Sequence, residues 1–179
     1  MHIYSMNWQK NLEQGEWFEA HVAKPWLIEN RSDWWITDSR NHTRIGGKGP
    51  RMTKGKNELV LPDFRLDSAE TGESRWFDSK MKKQPFSISG YYGEKFYSID
   101  PRSYKDYQTL MQIFPKMDFD ILLGCAWTNK IWLFNLRVTT PVMHQFENNF
   151  VRNNNGLTPC FSTKFMTLVG TWNSNLMPK

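Results

Sequence analysis

With 179 residues, 39% of them hydrophobic and 15% aromatic, the chain has material for one packed core and too little for two ordinary domains. That composition excludes a disordered polyelectrolyte, and no apolar run approaches the roughly 18 residues of a membrane-spanning helix. A net charge of +5 fits a polyanionic partner, because Lys and Arg gain affinity by displacing counterions from phosphates, but it does not require one.

In chain order, residues 7–29 read as a helix in which Leu12, Trp17, Phe18, Val22 and Trp26 form a rough apolar stripe, with Pro25 expected to kink or end it. Asp33–Asp38 reads as a short strand. The stretch 40–57 carries Arg40, Arg44, Lys48, Arg51, Lys54 and Lys56 with no acid and several glycines, which predicts a mobile basic loop suited to tracking a phosphate backbone. Glu58–Leu66 reads as a strand, and Ser74–Met81 as its return in a hairpin. Phe86–Ser89 and Lys95–Ile99 are short strand candidates around a Gly90–Gly93 turn.

The clearest helix follows. Asp100 suits the N-cap and Pro101 the first helical position, where its missing N–H is no loss. Tyr104, Tyr107, Met111 and Phe114 then recur at spacings of three and four, Lys105, Gln108 and Gln112 share a neighbouring polar face, and Pro115 stops the helix. Phe119–Trp127 and Lys130–Val138 read as adjacent strands, the first apolar enough to be covered on both faces. Beyond Pro141 the pattern weakens: Phe161–Val169 is a strand candidate and Asn148–Gly156 is loop-like. The order predicts one α/β domain over 1–179, with a core at about 7–138, a basic loop at 40–57 and a C-terminal extension at 139–179.

Side chains at i and i+2 of a strand share a face. Asp78 and Lys80 therefore project together, opposite Phe77, Ser79 and Met81, and the hairpin brings Asp63 alongside them. Two carboxylates held this close are costly unless a cation lies between them. Phosphodiester hydrolysis asks for such a cation: a divalent metal with carboxylate ligands activates water and relieves phosphate charge, and a neighbouring Lys stabilises the transition state. The dispersed His2, His21, His42 and His144 give no zinc-ligand spacing. Cys125 and Cys160 lie far apart and form no ligand cluster; Cys125, in the apolar run Ile121–Trp127, reads as a buried thiol, and a reducing compartment is the expectation over a disulfide.

Pro62-Asp63, followed after an interval by Asp78-Ser79-Lys80, resembles the signature of the PD-(D/E)XK nuclease superfamily. The resemblance implies a restriction-endonuclease-like α/β fold: a helix, a three-strand meander carrying the motif, a second helix and a further strand, forming a central mixed sheet flanked by helices. It also implies Mg²⁺ or Mn²⁺ at Asp63 and Asp78, with Lys80 as the catalytic cation. Gly15-Glu16-Trp17-Phe18-Glu19 is similar to the start of archaeal Holliday-junction resolvases, which nominates Glu19 as a third ligand with Glu16 in reserve; the long interval before Asp63 departs from those compact enzymes. Such enzymes often present a polar side chain from the helix after the motif, here Gln108 or Lys105, while Lys82 and Lys83 suit phosphate contacts.

The expected function is thus a metal-dependent deoxyribonuclease acting on DNA. The alternatives are a non-catalytic nucleic-acid-binding or inhibitor protein that keeps the nuclease fold, and an α/β interaction protein whose acids fall in this order by chance. Dimers are common among such nucleases because two strands need two sites, but no homodimer surface is legible. No membrane segment or signal pattern is visible, so a cytoplasmic setting is expected (the host cytoplasm if a phage or mobile element encodes the chain, as its small size without a target-reading module suggests by analogy).

Overall fold

The computed structural model describes residues 3–39, 51–54, 56–146 and 157–178, with side chains considered from Lys10 onward. Helix α1 (Ile3–Phe18) passes into a π-helical turn (Glu19–Ala23) and then α2 (Lys24–Asn30). The wide turn, in which the Lys24 N–H donates to the Glu19 carbonyl, lies directly ahead of Pro25, which has no N–H to offer the carbonyl four residues back. The expected kink at Pro25 is thus a change of helical pitch.

Six strands form the central sheet: β1 (Trp35–Asp38), β4 (Phe64–Asp67), β5 (Ser74–Lys82), β7 (Asp118–Cys125), β8 (Lys130–Asn135) and β11 (Thr167–Thr171). They lie in the order β1-β4-β5-β7-β8-β11, with β5 and β7 parallel and every other pair antiparallel. The chain leaves β5, passes through β6 (Phe96–Ser98) and helix α3 (Pro101–Ile113), and returns as β7, the crossover that parallel neighbours need. A helix, a three-strand meander (β1, β4, β5), a helix and a parallel strand therefore follow one another as expected, and the fold is mixed α/β with a mixed central sheet between helices.

The helices cover opposite faces. Phe18, Ala23 and Leu27 pack on Phe64, Leu66, Phe77, Leu122 and Ile131. On the other face, Tyr107 and Leu110 of α3 pack with Trp76, Phe119, Ile121 and Leu123. Strand β7 alternates between the two clusters, so nearly all of its side chains are buried, as its apolar run predicts. Asp100 caps α3 by accepting from the N–H groups of Arg102 and Ser103, at 3.0 and 3.1 Å.

Several expectations are corrected. The basic loop is not structureless throughout: β2 (Arg51–Lys54) and β3 (Asn57–Val60) form a hairpin, and Glu58 neutralises Arg51 at 3.8 Å. Arg40, Arg44 and Lys48 lie outside the described residues. Glu58–Leu66 is not one strand, since the chain breaks at Leu61–Asp63 and β3 and β4 belong to different sheets. Phe161–Val169 divides between β10 (Leu157–Ser162) and β11, separated by a 3-10 turn at Thr163–Phe165. The stretch 139–179 also supplies β9 (Val142–Gln145), which joins β6 and β10 in a second sheet, and through β11 it completes the central one. Among the described residues no helix is long and apolar enough to cross a membrane, and both cysteines are free and buried.

Candidate active site

The pairing of β4 with β5 sets the site. Phe64 stands opposite Phe77, so one step further Asp63 stands opposite Asp78 where the two strands diverge. Asp63 is fixed at both of its ends. Its backbone carbonyl accepts from the Ser39 N–H at 2.9 Å, and its Oδ2 accepts from the Ser79 N–H at 2.9 Å and the Ser79 hydroxyl at 2.8 Å. Ser79 points away from Asp78 and Lys80, as strand alternation requires, and so ties Asp63 to the motif from behind.

Asp78 is 1% exposed and Lys80 lies beside it, with Nζ 2.5 Å from Oδ2. The Tyr107 hydroxyl of α3 interacts with both groups, and the ammonium lies 5.8 Å from its ring centroid. Burial, opposed by Lys80 and reinforced by the Asp63 charge, pushes the Asp78 carboxyl up to about 7. Burial also disfavours charge on Lys80, but the charges of Asp78 and, more weakly, Asp63 outweigh it and hold the ammonium protonated. Tyr107 is held neutral by burial and by Asp78.

Two carboxylates and one ammonium therefore meet at the diverging ends of β4 and β5. The buried Asp78 carboxylate, countered by the Lys80 ammonium, together with an Asp63 Oδ1 that makes no hydrogen bond among the described residues, fits a hard cation taking one or two carboxylates and otherwise water and substrate oxygens. Among the described residues no group of three His, Cys, Asp or Glu side chains converges, so Glu19, which opens the π-helical turn, does not complete a carboxylate triad, and neither does Glu16.

The helix after the motif reaches the site through a different residue from the one expected. Gln108 is exposed and lines a shallow cavity with Tyr104, Met111, Leu136 and Arg137, and Lys105 is also exposed. Tyr107, read from the sequence as one member of an apolar stripe, is the side chain aimed at Asp78 and Lys80. Its phenolic tip set it apart from Met111 and Phe114 but not from Tyr104 of the same stripe. Lys82 continues the row of Asp78 and Lys80 on the same face; burial and the nearby Lys80 lower its pKa to about 8. Lys83, Lys54 and Lys56 are exposed and Arg51 is half-buried. A larger surface cavity, lined by Gly72–Arg75 and Ile113–Asp118, sits at the opposite end of β5 and plays no part in this constellation.

No family model matches the chain, and no curated protein matches it. Among solved structures it is similar to Hjc of Archaeoglobus fulgidus, a Holliday junction resolvase from an archaeal hyperthermophile, at 11% identity over 78% of this chain and 84% of that one, with a TM-score of 0.38.

Proposed function

We propose that the protein is a metal-dependent phosphodiesterase that cuts DNA, with Asp63, Asp78 and Lys80 as its centre. The observation that carries this reading is the meeting of those three groups at the neighbouring ends of β4 and β5, with the Asp78 carboxylate buried against the Lys80 ammonium. Asp63 and Asp78 would hold Mg²⁺ or Mn²⁺, which when bound supplies Lewis-acid polarisation and an acidified water.

The chain's own residues do the rest. Ser79 fixes the orientation of Asp63, and Tyr107 fixes that of Asp78. Lys80 neutralises Asp78 in this structure, and with Asp63 and Asp78 holding a metal its ammonium would be available to a phosphate oxygen and to the charge that builds there. Its position among acidic oxygens keeps it protonated for that task.

A cleavage panel tests the reading: supercoiled plasmid, linear duplex, single strand, flap and four-way junction, each with Mg²⁺ or Mn²⁺ and with EDTA. Metal-dependent cutting of at least one substrate, lost in Asp78→Ala, is the expected result. Tight DNA binding with no cutting under any metal would replace the enzyme by a non-catalytic DNA-binding protein of the same fold.

A further inference from the structure

The row of cations that begins at Lys80 ends at an exposed indole. Past the end of β7 the parallel pairing continues: the Ala126 N–H donates to the Lys82 carbonyl and the Trp127 N–H to the Lys83 carbonyl, both at 2.9 Å. Trp127 is 75% exposed and sits on the turn into β8, which Asn129 closes with a left-handed φ of 52°. The Trp127 backbone is thus fixed to the strand that carries Asp78 and Lys80, while its side chain stands in solvent.

Isolated exposed aromatics are common and need no explanation. The surroundings of this one are unusual in charge. Neither residues 79–93 nor residues 121–146, the two segments that meet here, contain an Asp or Glu, whereas they supply Lys80, Lys82, Lys83 and Lys130. Among the described residues none of Lys82, Lys83 and Lys130 is ion-paired. Lys82 shares the face of Asp78 and Lys80, and Lys83 is exposed beside Trp127. Asp100 and Asp78 act on Lys82 from outside those segments, while Lys83 has no ion pair among the described residues. A flat indole beside exposed ammonium groups is the combination that holds a nucleic-acid strand, because every base offers a π face and every linkage a charge. A base inside a continuous duplex has no free face to offer, so only an unpaired one can use the indole.

We propose that Trp127 is a stacking platform for an unpaired base of the substrate strand, with Lys82 and Lys83 holding the phosphates between that base and Asp78. This rests on the nuclease reading and narrows it to DNA that carries unpaired nucleotides next to the cleavage point. At the strand rise of about 3.3 Å per residue, the five steps from Asp78 to Lys83 span about 16 Å, a reach of a few nucleotides.

The test is binding, kept apart from catalysis by working in EDTA. Fluorescence anisotropy compares a labelled continuous duplex with the same duplex carrying a short single-stranded gap, for wild type, Trp127→Ala and Trp127→Phe. The wild type is expected to prefer the gapped DNA. Trp127→Ala should lower that preference roughly 5- to 150-fold, the range for losing one stacked base, and Trp127→Phe should restore most of it. Equal wild-type affinity for the two DNAs, or a preference untouched by Trp127→Ala, overturns the platform. Cutting in Mg²⁺ is scored separately: a protein that cuts but shows no Trp127-dependent preference loses only this proposal, and one that shows the preference but never cuts loses only the catalytic reading.

Discussion

At the residue scale the central quantity is the proton on Asp78. The carboxyl is buried and titrates near 7, so below that pH a proton occupies the group that a divalent ion would use. Metal binding must displace that proton, and it does so more easily as the pH rises through 7. The rise in Tm on adding Mg²⁺ or Mn²⁺ should therefore be larger at pH 8 than at pH 6, and should vanish in Asp78→Asn. A metal-induced rise that is the same at both pH values would remove Asp78 from the metal's ligands. Pro62-Asp63 and Asp78-Ser79-Lys80 were legible because strand alternation fixes which side chains share a face. Tyr107 was not, because periodicity treats a buried phenol and a buried phenylalanine alike. Glu19 was nominated by resemblance alone, and nothing in the residues themselves required it to converge with the two aspartates.

At the element scale the site depends on how closely α1 approaches the sheet. Gly124 of β7 lies under the Phe18 ring, and a Cβ there would fall inside that ring's van der Waals envelope. Gly124→Ala should thus push the helix outward and cost about 1–3 kcal/mol, read as a lower denaturation midpoint with an unchanged m-value. Unchanged stability would mean that α1 is not seated as described. Asp100→Ala removes the cap of α3 and should cost about 1 kcal/mol, or roughly 2–4 °C in Tm for a chain of this size. Helix α3, β5 and β7 were readable because local rules settle them: a cap, a two-residue alternation and an uninterrupted apolar run. The β2–β3 hairpin, β9 and the division of β10 from β11 were not. Their residues are polar or mixed, and it is pairing with distant strands that makes them strands.

At the scale of the whole molecule, Lys82, Lys83 and Lys130, none ion-paired among the described residues, lie where the ends of β5 and β7 meet the turn into β8. If they hold phosphates, affinity for DNA should fall steeply with salt, and Lys83→Ala should lessen the slope of log K against log salt by about 1. A slope unchanged in that variant would place the DNA elsewhere on the surface. The overall α/β order was legible in the sequence because alternation of strand and helix patterns constrains topology strongly. The part played by residues 139–179 in completing the central sheet was not, since β11 meets β8 only after a long excursion of the chain.

The most direct test of the proposed centre is a single-turnover cleavage rate, measured in Mn²⁺ on the best DNA substrate for wild type, Asp63→Asn, Asp78→Asn and Lys80→Ala. Lys80→Ala should be slower by about 10²–10³-fold, the usual loss when one charge-stabilising group is removed from a transition state, while still binding the DNA. Both aspartate variants should fall at least as far. Cleavage at wild-type rates in all three variants would show that any chemistry this protein performs lies somewhere other than the diverging ends of β4 and β5.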